Sequence, residues 1–325
     1  MAKIAFLGGS KNQTRIALEI ALELQKKGHQ VSFSPMYSEN PFLNFLRKFG
    51  LLEKTILGTK RRQEAEQILK EYNSNLDKHI ELDDGLKGNY DLVVLTQDLL
   101  VPTNLPPLRV LVQEGMFTPD NFLSYLSRRF SFLPLFLGNT SNTGLSILRD
   151  PNSYDYFFVM NYYFRRRAIN LGIPSEKVFA TGIPLFDKIE VYEKPQEENY
   201  ILCALSPFIE DQLGYFRTLF FAVDLAKKEN KRLLVKLYPT ESQLVEKVLS
   251  NFVSILPRTA NAKQYIQNSY YIVAQYSPVL IEAQMYGKPS YSLYVNPDDL
   301  KQIINNGQSA LNIANFIDTL VIQQQ

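Results

Sequence analysis

The stretch Tyr270–Pro289, YYIVAQYSPVLIEAQMYGKP, predicts a strand, a tight loop and a helix in immediate succession. Its first residues are mostly aromatic or β-branched and apolar, as in a short buried strand. Ser277 and Pro278 then stand where a helix begins, because serine accepts hydrogen bonds from free amides and proline has none to lose. We expect the helix to run to Tyr286 and to end at Gly287 in a left-handed turn. Such a helix points unpaired amides outward at the carboxyl edge of a sheet, where anions bind.

Glu282 is the main polar feature of this predicted helix. It shares a helix face with Pro278 and Met285, about one turn behind the anion site. Its carboxylate could accept hydrogen bonds from the two hydroxyls of a ribose while the helix start holds phosphates. The alternative is an ordinary solvated glutamate.

The N-terminal part predicts a βαβ unit. Lys3–Leu7 is typical of a buried strand, and Gly8–Ser10 then form a loop that lets the backbone approach a neighbour. Apolar residues recur at helical spacing up to Gly28, and the next strand starts at His29, which we interpret as a turn residue. The full G-x-G-x-x-G fingerprint is missing and no acidic residue closes the second strand, so we do not expect an NAD site.

The α/β alternation continues along the chain and divides into two halves. Further strands are expected at residues 91–95, 109–112, 154–160, 178–180, 200–205, 232–237 and 253–256. The charged stretch Asp187–Asn199 has little apolar periodicity, as in a linker. We therefore expect an N-terminal domain over 1–187, a C-terminal domain over 188–309, and a last helix over 310–325 that packs back on the first domain.

Polar residues follow several of the predicted strands. Glu114 comes directly after a buried strand and before a glycine, which is a common position for a catalytic acid or base. The alternative is a loop carboxylate that caps residues 118–121 or pairs with an arginine. In the second half, Ser206 follows one strand, while Lys236 and Tyr238 lie two apart at the end of another and so share a face.

Four pieces of sequence share their order with a known superfamily. They are VLVQEG at 110–115, VFATGIPLFD at 178–187, LVKLYP at 234–239 and SPVLIEAQMYGKP at 277–289. Together they resemble the GT-B nucleotide-sugar enzymes, namely CDP-glycerol glycerophosphotransferases, UDP-N-acetylglucosamine 2-epimerases and bacterial capsule sialyltransferases. The resemblance implies an α/β, GT-B-like fold in which two Rossmann-like parallel-sheet domains face a central cleft.

The resemblance also implies roles for individual residues. In the related sialyltransferases an acidic residue before glycine is the general base, which here is Glu114. The glycerophosphotransferases show Lys-x-His-Pro where this chain has Tyr238 in place of histidine. A phenol donates a hydrogen bond to phosphate but carries no positive charge near neutral pH, which leaves that charge to Lys236. The expected donor-binding residues are Ser206, Lys236, Tyr238, Pro239, Ser277, Pro278 and Glu282, and the acceptor-side loop is Gly8, Gly9 and Ser10.

The implied function is a glycosyltransferase that moves a sugar from a nucleotide-sugar donor to a cell-envelope or polysaccharide hydroxyl. We expect no metal, because no D-x-D-like acidic pair stands at a strand end, and no cofactor. The acceptor would be a glycan or a lipid-linked molecule. The alternatives are a CDP-alditol phosphotransferase, a sugar-nucleotide epimerase, or a catalytically silent protein of the same fold that binds a nucleotide or a partner.

Composition limits the other classes of function. A net charge of +2 gives no reason to expect nucleic acid as a partner, and two histidines weaken imidazole-based chemistry. The single cysteine, Cys203, excludes an internal disulfide framework and suits a reducing compartment. The N-terminal apolar run is too short for a signal peptide, and no segment reaches the ~18 apolar residues of a membrane-spanning helix. We therefore expect a cytoplasmic protein.

Two segments of the N-terminal half combine apolar, aromatic and basic residues, namely 41–62 and 122–137. Such a pattern is typical either of a peripheral contact with an anionic membrane or of a core face with a solvated rim. Membrane association is thus an expectation for both segments.

Overall fold

A computed structural model describes most of the chain as two compact units. The described residues are 1–53, 57–74, 79–97, 101, 108–117, 154–187, 199–208, 211–239, 241–300 and 307–323. Unit 1 comprises Met1–Lys188 with Ile303–Gln325, and unit 2 comprises Ile189–Gln302. The predicted segment 122–137 and most of the predicted linker 187–199 lie outside the described residues.

Strands and helices alternate through both units. The strands are β1 (Lys3–Leu7), β2 (Gln30–Ser34), β3 (Glu81–Leu82), β4 (Leu92–Leu95), β5 (Leu108–Val112), β6 (Tyr156–Val159), β7 (Val178–Ala180), β8 (Tyr200–Ala204), β9 (Arg232–Lys236), β10 (Ser254–Ile255), β11 (Tyr271–Ala274) and β12 (Ser290–Ser292). The helices are α1 (Lys11–Lys26), α2 (Pro41–Lys48), α3 (Thr59–Ser74), α4 (Tyr162–Asn170), α5 (Gln212–Lys228), α6 (Gln243–Leu249), α7 (Ala262–Asn268), α8 (Val279–Met285), α9 (Pro297–Leu300) and α10 (Ser309–Ile322).

Each unit is built on one parallel sheet, which confirms the predicted α/β class. The strand order is β3-β2-β1-β4-β5-β6-β7 in unit 1 and β10-β9-β8-β11-β12 in unit 2. In unit 1, Leu7 lies opposite both Ser34 and Leu95, so the carboxyl ends of neighbouring strands coincide. In unit 2, Ala204 lies opposite Lys236 and Ala274. Loops that follow these strands therefore open at one edge of each sheet, where ligands of such folds bind.

The C-terminal helix α10 completes the core of unit 1. Ile313 and Ile317 are fully buried, and α10 packs mainly against α1. The ring of Phe316 lies 5.0 Å from the ring of Phe158 and 4.6 Å from that of Phe179. The last helix thus covers strands β6 and β7 as well as α1, and its apolar face is a structural part of the first unit.

His29 is a buried residue that contacts the last helix, in addition to following the predicted turn. It follows the helix-ending Gly28, whose φ is 88°, but its ring is buried. His29 Nε2 lies 2.9 Å from Asp318 Oδ1 on α10, and the amide of Ala2 donates to Nδ1 at 3.3 Å. The hydrogen bond with His29, helped by the charge of Lys27, holds the pKa of Asp318 below its ordinary value. Local sequence patterns do not reveal this partner, because it lies 289 residues away in the chain.

Several predicted boundaries were wrong for identifiable reasons. The apolar spacing of residues 216–228 predicts a helix that starts at Phe216. Helix α5 begins four residues earlier, because Asp211 caps it by accepting from the amide of Gly214 at 2.9 Å. The polar stretch 64–80 predicts a second helix, but helix α3 occupies Thr59–Ser74 and so starts five residues earlier. The short edge strands β3 and β12 were not predicted, since two or three residues are too few for a periodic signal.

None of the described helices is long and apolar enough to cross a lipid bilayer.

We predict that Ile317→Ala destabilises unit 1 by about 3 kcal/mol, because it leaves a cavity between α10 and its neighbours. Asn315→Ala is the matched control on the exposed side of the same helix and should change stability by less than about 0.5 kcal/mol. Urea unfolding followed by circular dichroism measures both. Equal stability of the two variants would show that α10 is not part of the core.

Candidate functional site

The carboxyl edge of the unit 1 sheet holds a buried carboxyl group, that of Glu114. Its side chain is only 7% exposed. Ser10 Oγ donates to Glu114 Oε1 at 2.9 Å, and Gln13 Nε2 donates to Glu114 Oε2 at 2.8 Å. Each carboxyl oxygen thus has one fixed donor and retains acceptor capacity for a second.

The two donors are themselves fixed by the start of helix α1. Ser10 Oγ accepts from the amide of Gln13 at 3.2 Å, and Gln13 Oε1 accepts from the amide of Ser10 at 2.9 Å. This reciprocal pair is a capping box, which satisfies two amides at the helix terminus. The loop that begins α1 is therefore rigid at the point where it contacts Glu114.

The loop that carries Glu114 is anchored from the opposite side. The preceding side chain, Gln113, is fully buried and accepts from the amide of Met160 at 3.0 Å. The backbone amide of Gln113 donates to the carbonyl of Phe158 at 2.9 Å. Phe117 packs its ring edge to face on Phe164 at 5.3 Å. These contacts tie the loop after β5 to β6 and α4, which sets the direction of the Glu114 side chain.

Burial raises the pKa of Glu114 from 4.5 to about 7. The hydrogen bonds from Ser10 and Gln13 and the positive charge of Arg61 act in the opposite direction, because they favour the charged form. Without these three groups the carboxyl group would be protonated over an even wider pH range. With them it can exchange a proton close to neutral pH.

Gly8 has a packing role in this loop. A Cβ atom at Gly8 would lie 2.6 Å from the ring of Phe33 and 3.2 Å from Thr14 Oγ1. Its amide donates to the carbonyl of Ser34 at 3.0 Å. The close approach expected of the glycine loop is thus made to β2, while Ser10 is the member that faces Glu114.

In unit 2, Lys236 and Glu282 both lie at the carboxyl edge of the sheet. Lys236 ends β9 and is half-buried, and Glu282 lies in the first turn of α8. Burial lowers the pKa of Lys236, and the charge of Glu282 acts in the opposite direction. The two charges that the sequence assigned to a donor site therefore interact with each other.

Ser206 is joined to the end of β11 by a residue that sequence reasoning missed. The amide of Ser206 donates to Gln275 Oε1 at 2.9 Å, and both side chains are buried. Among the residues the structure describes, Gln275 Nε2 is buried without an acceptor. The hydroxyl of Ser292 donates to the carbonyl of Gln275. Gln275 thus links β8, β11 and β12, and its Nε2 group remains available to donate to a ligand.

The helix after Ser277 starts one residue later than predicted. Helix α8 begins at Val279 and Pro278 is its cap residue, with φ −51° and ψ −23°. Ser277 Oγ accepts from the amide of Val279 at 3.3 Å, and the carbonyl of Ser277 accepts from Leu280 at 2.9 Å. The helix ends at Met285 instead of Tyr286, and Gly287 takes the expected left-handed conformation with φ 65°.

Tyr238 and Pro239 lie in the loop after β9. Tyr238 is 38% exposed, and its carbonyl accepts from the amide of Glu241 at 2.9 Å. The carbonyl of Pro239 accepts from Arg258 Nη1 at 3.1 Å. Glu241, another residue that was missed, accepts from the amide of Phe208 at 2.8 Å and so ties the loops after β8 and β9 together.

The sequence contained a signal for one of the missed residues. Gln13 stands three positions after Ser10, which is the spacing of a capping box, so its side chain could have been placed at the helix start. Gln275 and Glu241 follow strands or loops without any comparable pattern. In the described part of the chain, no three His, Cys, Asp or Glu side chains are grouped as a metal site requires.

Solved structures of nucleotide-sugar enzymes are similar to the whole chain. The UDP-GlcNAc 2-epimerase from Methanocaldococcus jannaschii in complex with UDP-GlcNAc and UDP matches with a TM-score of 0.54 and 16% identity, over 97% of this chain and 92% of that one. The UDP-GlcNAc 2-epimerase from Neisseria meningitidis bound to UDP-GlcNAc matches with a TM-score of 0.52 and 16% identity, over 98% and 91%.

The wall teichoic acid polymerase TagF is also similar, with a TM-score of 0.52 and 12% identity over 99% of this chain and 89% of that one. No protein-family model and no curated protein sequence matches the chain. At such low identity the structural similarity establishes the fold alone. The chain has the GT-B-like α/β fold that the sequence predicted.

We predict that the stability of the protein depends on the protonation of Glu114. Its pKa is about 7 in the folded state and 4.5 when unperturbed, so the folded state binds the extra proton between these values. Stability should therefore fall as the pH rises from 4.5 to 7, by about 3 kcal/mol in total.

Glu114→Gln removes this titration, so the variant should gain stability relative to the wild type over that pH range. Urea unfolding at a series of pH values measures the difference. Glu64→Gln, at an exposed position of α3, is the control and should keep the wild-type pH dependence. A pH-independent difference between the Glu114→Gln variant and the wild type would contradict the buried titration.

Proposed function

We propose that this chain is a glycosyltransferase that uses a nucleotide-sugar donor and a cell-envelope or polysaccharide hydroxyl as acceptor, without a metal ion. Glu114 is the general base. The observation that carries this proposal is the buried carboxyl group of Glu114, held by Ser10 and Gln13 and titrating near pH 7. A base is most effective when its pKa lies near the working pH, and few carboxyl groups meet that condition.

The proposed chemistry in unit 1 is a proton transfer. As the acceptor oxygen attacks the sugar carbon, its proton moves to a carboxylate oxygen of Glu114. The donors Ser10 and Gln13 keep the carboxylate oriented, and each oxygen still has a lone pair for the acceptor hydroxyl. Gly8, Gly9 and Ser10 are the proposed acceptor-side loop, and the region 1–187 is the proposed acceptor domain.

The proposed donor site lies at the carboxyl edge of unit 2, in the region 188–309. The ammonium group of Lys236 would stabilise the negative charge on the leaving diphosphate, with Tyr238 and Pro239 beside it in the following loop. Glu282 would accept hydrogen bonds from ribose hydroxyls. The side-chain Nε2 of Gln275 can donate to a ligand oxygen near Ser206, which would give this buried donor an acceptor.

Two further aspects of the proposal concern partners and place. Ser277 and Pro278 set the start of α8 and are proposed to contact the donor. The acceptor would be a glycan or a lipid-linked molecule, with no nucleic acid involved, and the protein would work in the cytoplasm at or near a membrane. UDP is the proposed donor nucleotide, because similar solved structures contain it.

A sugar-nucleotide epimerase is the second candidate. It is supported by the similarity to UDP-GlcNAc 2-epimerases. Two residues of this sequence weaken it, since Ser277 and Pro278 stand where those enzymes have Ser-Gly-Gly. Two other candidates are a CDP-alditol phosphotransferase and a catalytically silent binding protein. They differ from the glycosyltransferase and the epimerase in the nucleotide that binds and in the products formed.

A thermal-shift screen with UDP, CDP, CMP and GDP tests the donor assignment. We predict that UDP stabilises the protein most, by roughly 2.7 kcal/mol at 100 times its Kd. Lys236→Met should weaken UDP binding, because it removes the charge proposed to face the diphosphate. Lys228→Met, at an exposed lysine that ends α5, is the matched control and should bind UDP normally.

The outcomes separate the candidate functions. Stabilisation by CDP alone would favour the phosphotransferase, and no stabilisation by any nucleotide would favour the silent protein. Product analysis with UDP-GlcNAc distinguishes the remaining two, because an epimerase forms UDP-ManNAc without an acceptor. Formation of that epimer would contradict the transferase proposal.

A further inference from the structure

Helix α2 and the turn after it present an exposed apolar face on unit 1. Phe42 is 61% exposed, Phe45 53%, Phe49 65% and Leu51 65%. We refer to these four residues as the α2 face. The rings of Phe45 and Phe49 lie 4.7 Å apart, so they form one continuous apolar surface. Scattered exposed apolar residues need no explanation, but a contiguous aromatic patch is typical of a binding surface.

The opposite side of this segment is anchored in the protein. Leu43, Leu52 and Leu57 are buried with Met36 in a small core of their own, and Leu46 packs against it. Asn40 caps the helix by accepting from the amides of Phe42 and Leu43. The segment therefore has its own packing and its own cap, and it does not need the α2 face for folding.

The segment 41–62, which carries the α2 face, is rich in basic residues, of which Arg62 is paired with Glu66 and Asp84. Residues 41–62 contain six basic side chains and one acidic side chain, Glu53, while the whole chain has a net charge of only +2. Lys48 and Lys60 are exposed. Aromatic side chains surrounded by cations are complementary to a surface that is anionic outside and apolar inside. A second copy of the same face is a poor partner, because like charges would oppose each other.

We propose that the α2 face docks on an anionic lipid bilayer, with Phe42, Phe45 and Phe49 inserted at the headgroup boundary and the lysines on the phosphates. The short helix would lie in the interface plane and would not span the membrane. This inference rests on the apolar face and the charge, and it holds whatever reaction the protein performs.

The segment 41–62 also contains a residue that influences Glu114. Arg61, in the first turn of α3, is close enough to act electrostatically on Glu114. Arg61 belongs to the same basic segment, 41–62, as the α2 face. If the proposed transfer reaction is correct, this position favours a lipid-linked acceptor over a soluble glycan.

Co-sedimentation of the full chain with lipid vesicles tests the docking. We predict binding to phosphatidylcholine vesicles that contain about 30% phosphatidylglycerol, weak binding to pure phosphatidylcholine, and a decrease in binding at high salt. Phe45→Ser with Phe49→Ser should lower the partition coefficient about tenfold or more, because the inserted apolar surface is lost. Lys48→Glu should lower it at least about fivefold.

Controls at unit 2 make the test specific. Phe252→Ser removes an aromatic ring that is 78% exposed, and Lys228→Glu reverses an exposed charge, both outside the segment 41–62. Both controls should bind vesicles as the wild type does. All the substituted side chains are exposed, so the variants should unfold at the wild-type urea concentration.

Three results would overturn the proposal. The first is that the wild type does not bind anionic vesicles, and the second is that the double phenylalanine variant binds them equally well. The third is self-association of the wild type through the α2 face, seen by light scattering as a dimer that the double variant does not form. Nucleotide binding and transfer are measured separately, so failure of vesicle binding would leave the proposed function intact. Failure of nucleotide binding would likewise leave the membrane contact intact.

Discussion

The hydrogen bonds from Ser10 and Gln13 to Glu114 are the interaction on which this account depends. A carboxyl group in a buried position loses hydration, and its charged form is disfavoured unless donors replace the lost water. Here the donors belong to the start of α1 and the acceptor to the loop after β5, so the contact joins two loops 104 residues apart at one sheet edge. The capping box fixes the donors, and the buried Gln113 fixes the acceptor. The result is a carboxyl group of defined orientation that titrates near neutral pH.

Parallel sheets explain why polar residues from distant parts of the sequence meet. In each unit the neighbouring strands end at the same level, so every following loop opens at one edge. Unit 1 places Ser10 and Glu114 there, and unit 2 places Ser206, Lys236 and Glu282 in the corresponding position on its own sheet. Both units therefore place polar side chains where α/β folds bind ligands. The apolar α2 face does not belong to these strand-end loops, and its exposed side chains do not contribute to the core of unit 1.

Local patterns predicted the elements but not their partners. The strands Lys3–Leu7 and Val178–Ala180 are as predicted, because short apolar runs depend only on neighbouring residues. The pairing of His29 with Asp318, the link from Ser206 to Gln275 and the electrostatic influence of Glu282 on Lys236 depend on tertiary packing, which sequence spacing does not encode. Glu114 was predicted as a candidate base from its place after a strand. Its burial and its two donors became visible only in the structure.

The most direct test of the central claim is the pH dependence of sugar transfer by the wild type and the Glu114→Gln variant, once a donor and an acceptor are identified. The account predicts that the wild-type kcat rises with pH through an apparent pKa of about 7, as Glu114 loses its proton. The variant should be slower by about 100-fold or more and should lack that limb of the profile. A variant that retains full transfer, or that keeps the same pH profile, would contradict the assignment of Glu114 as the base.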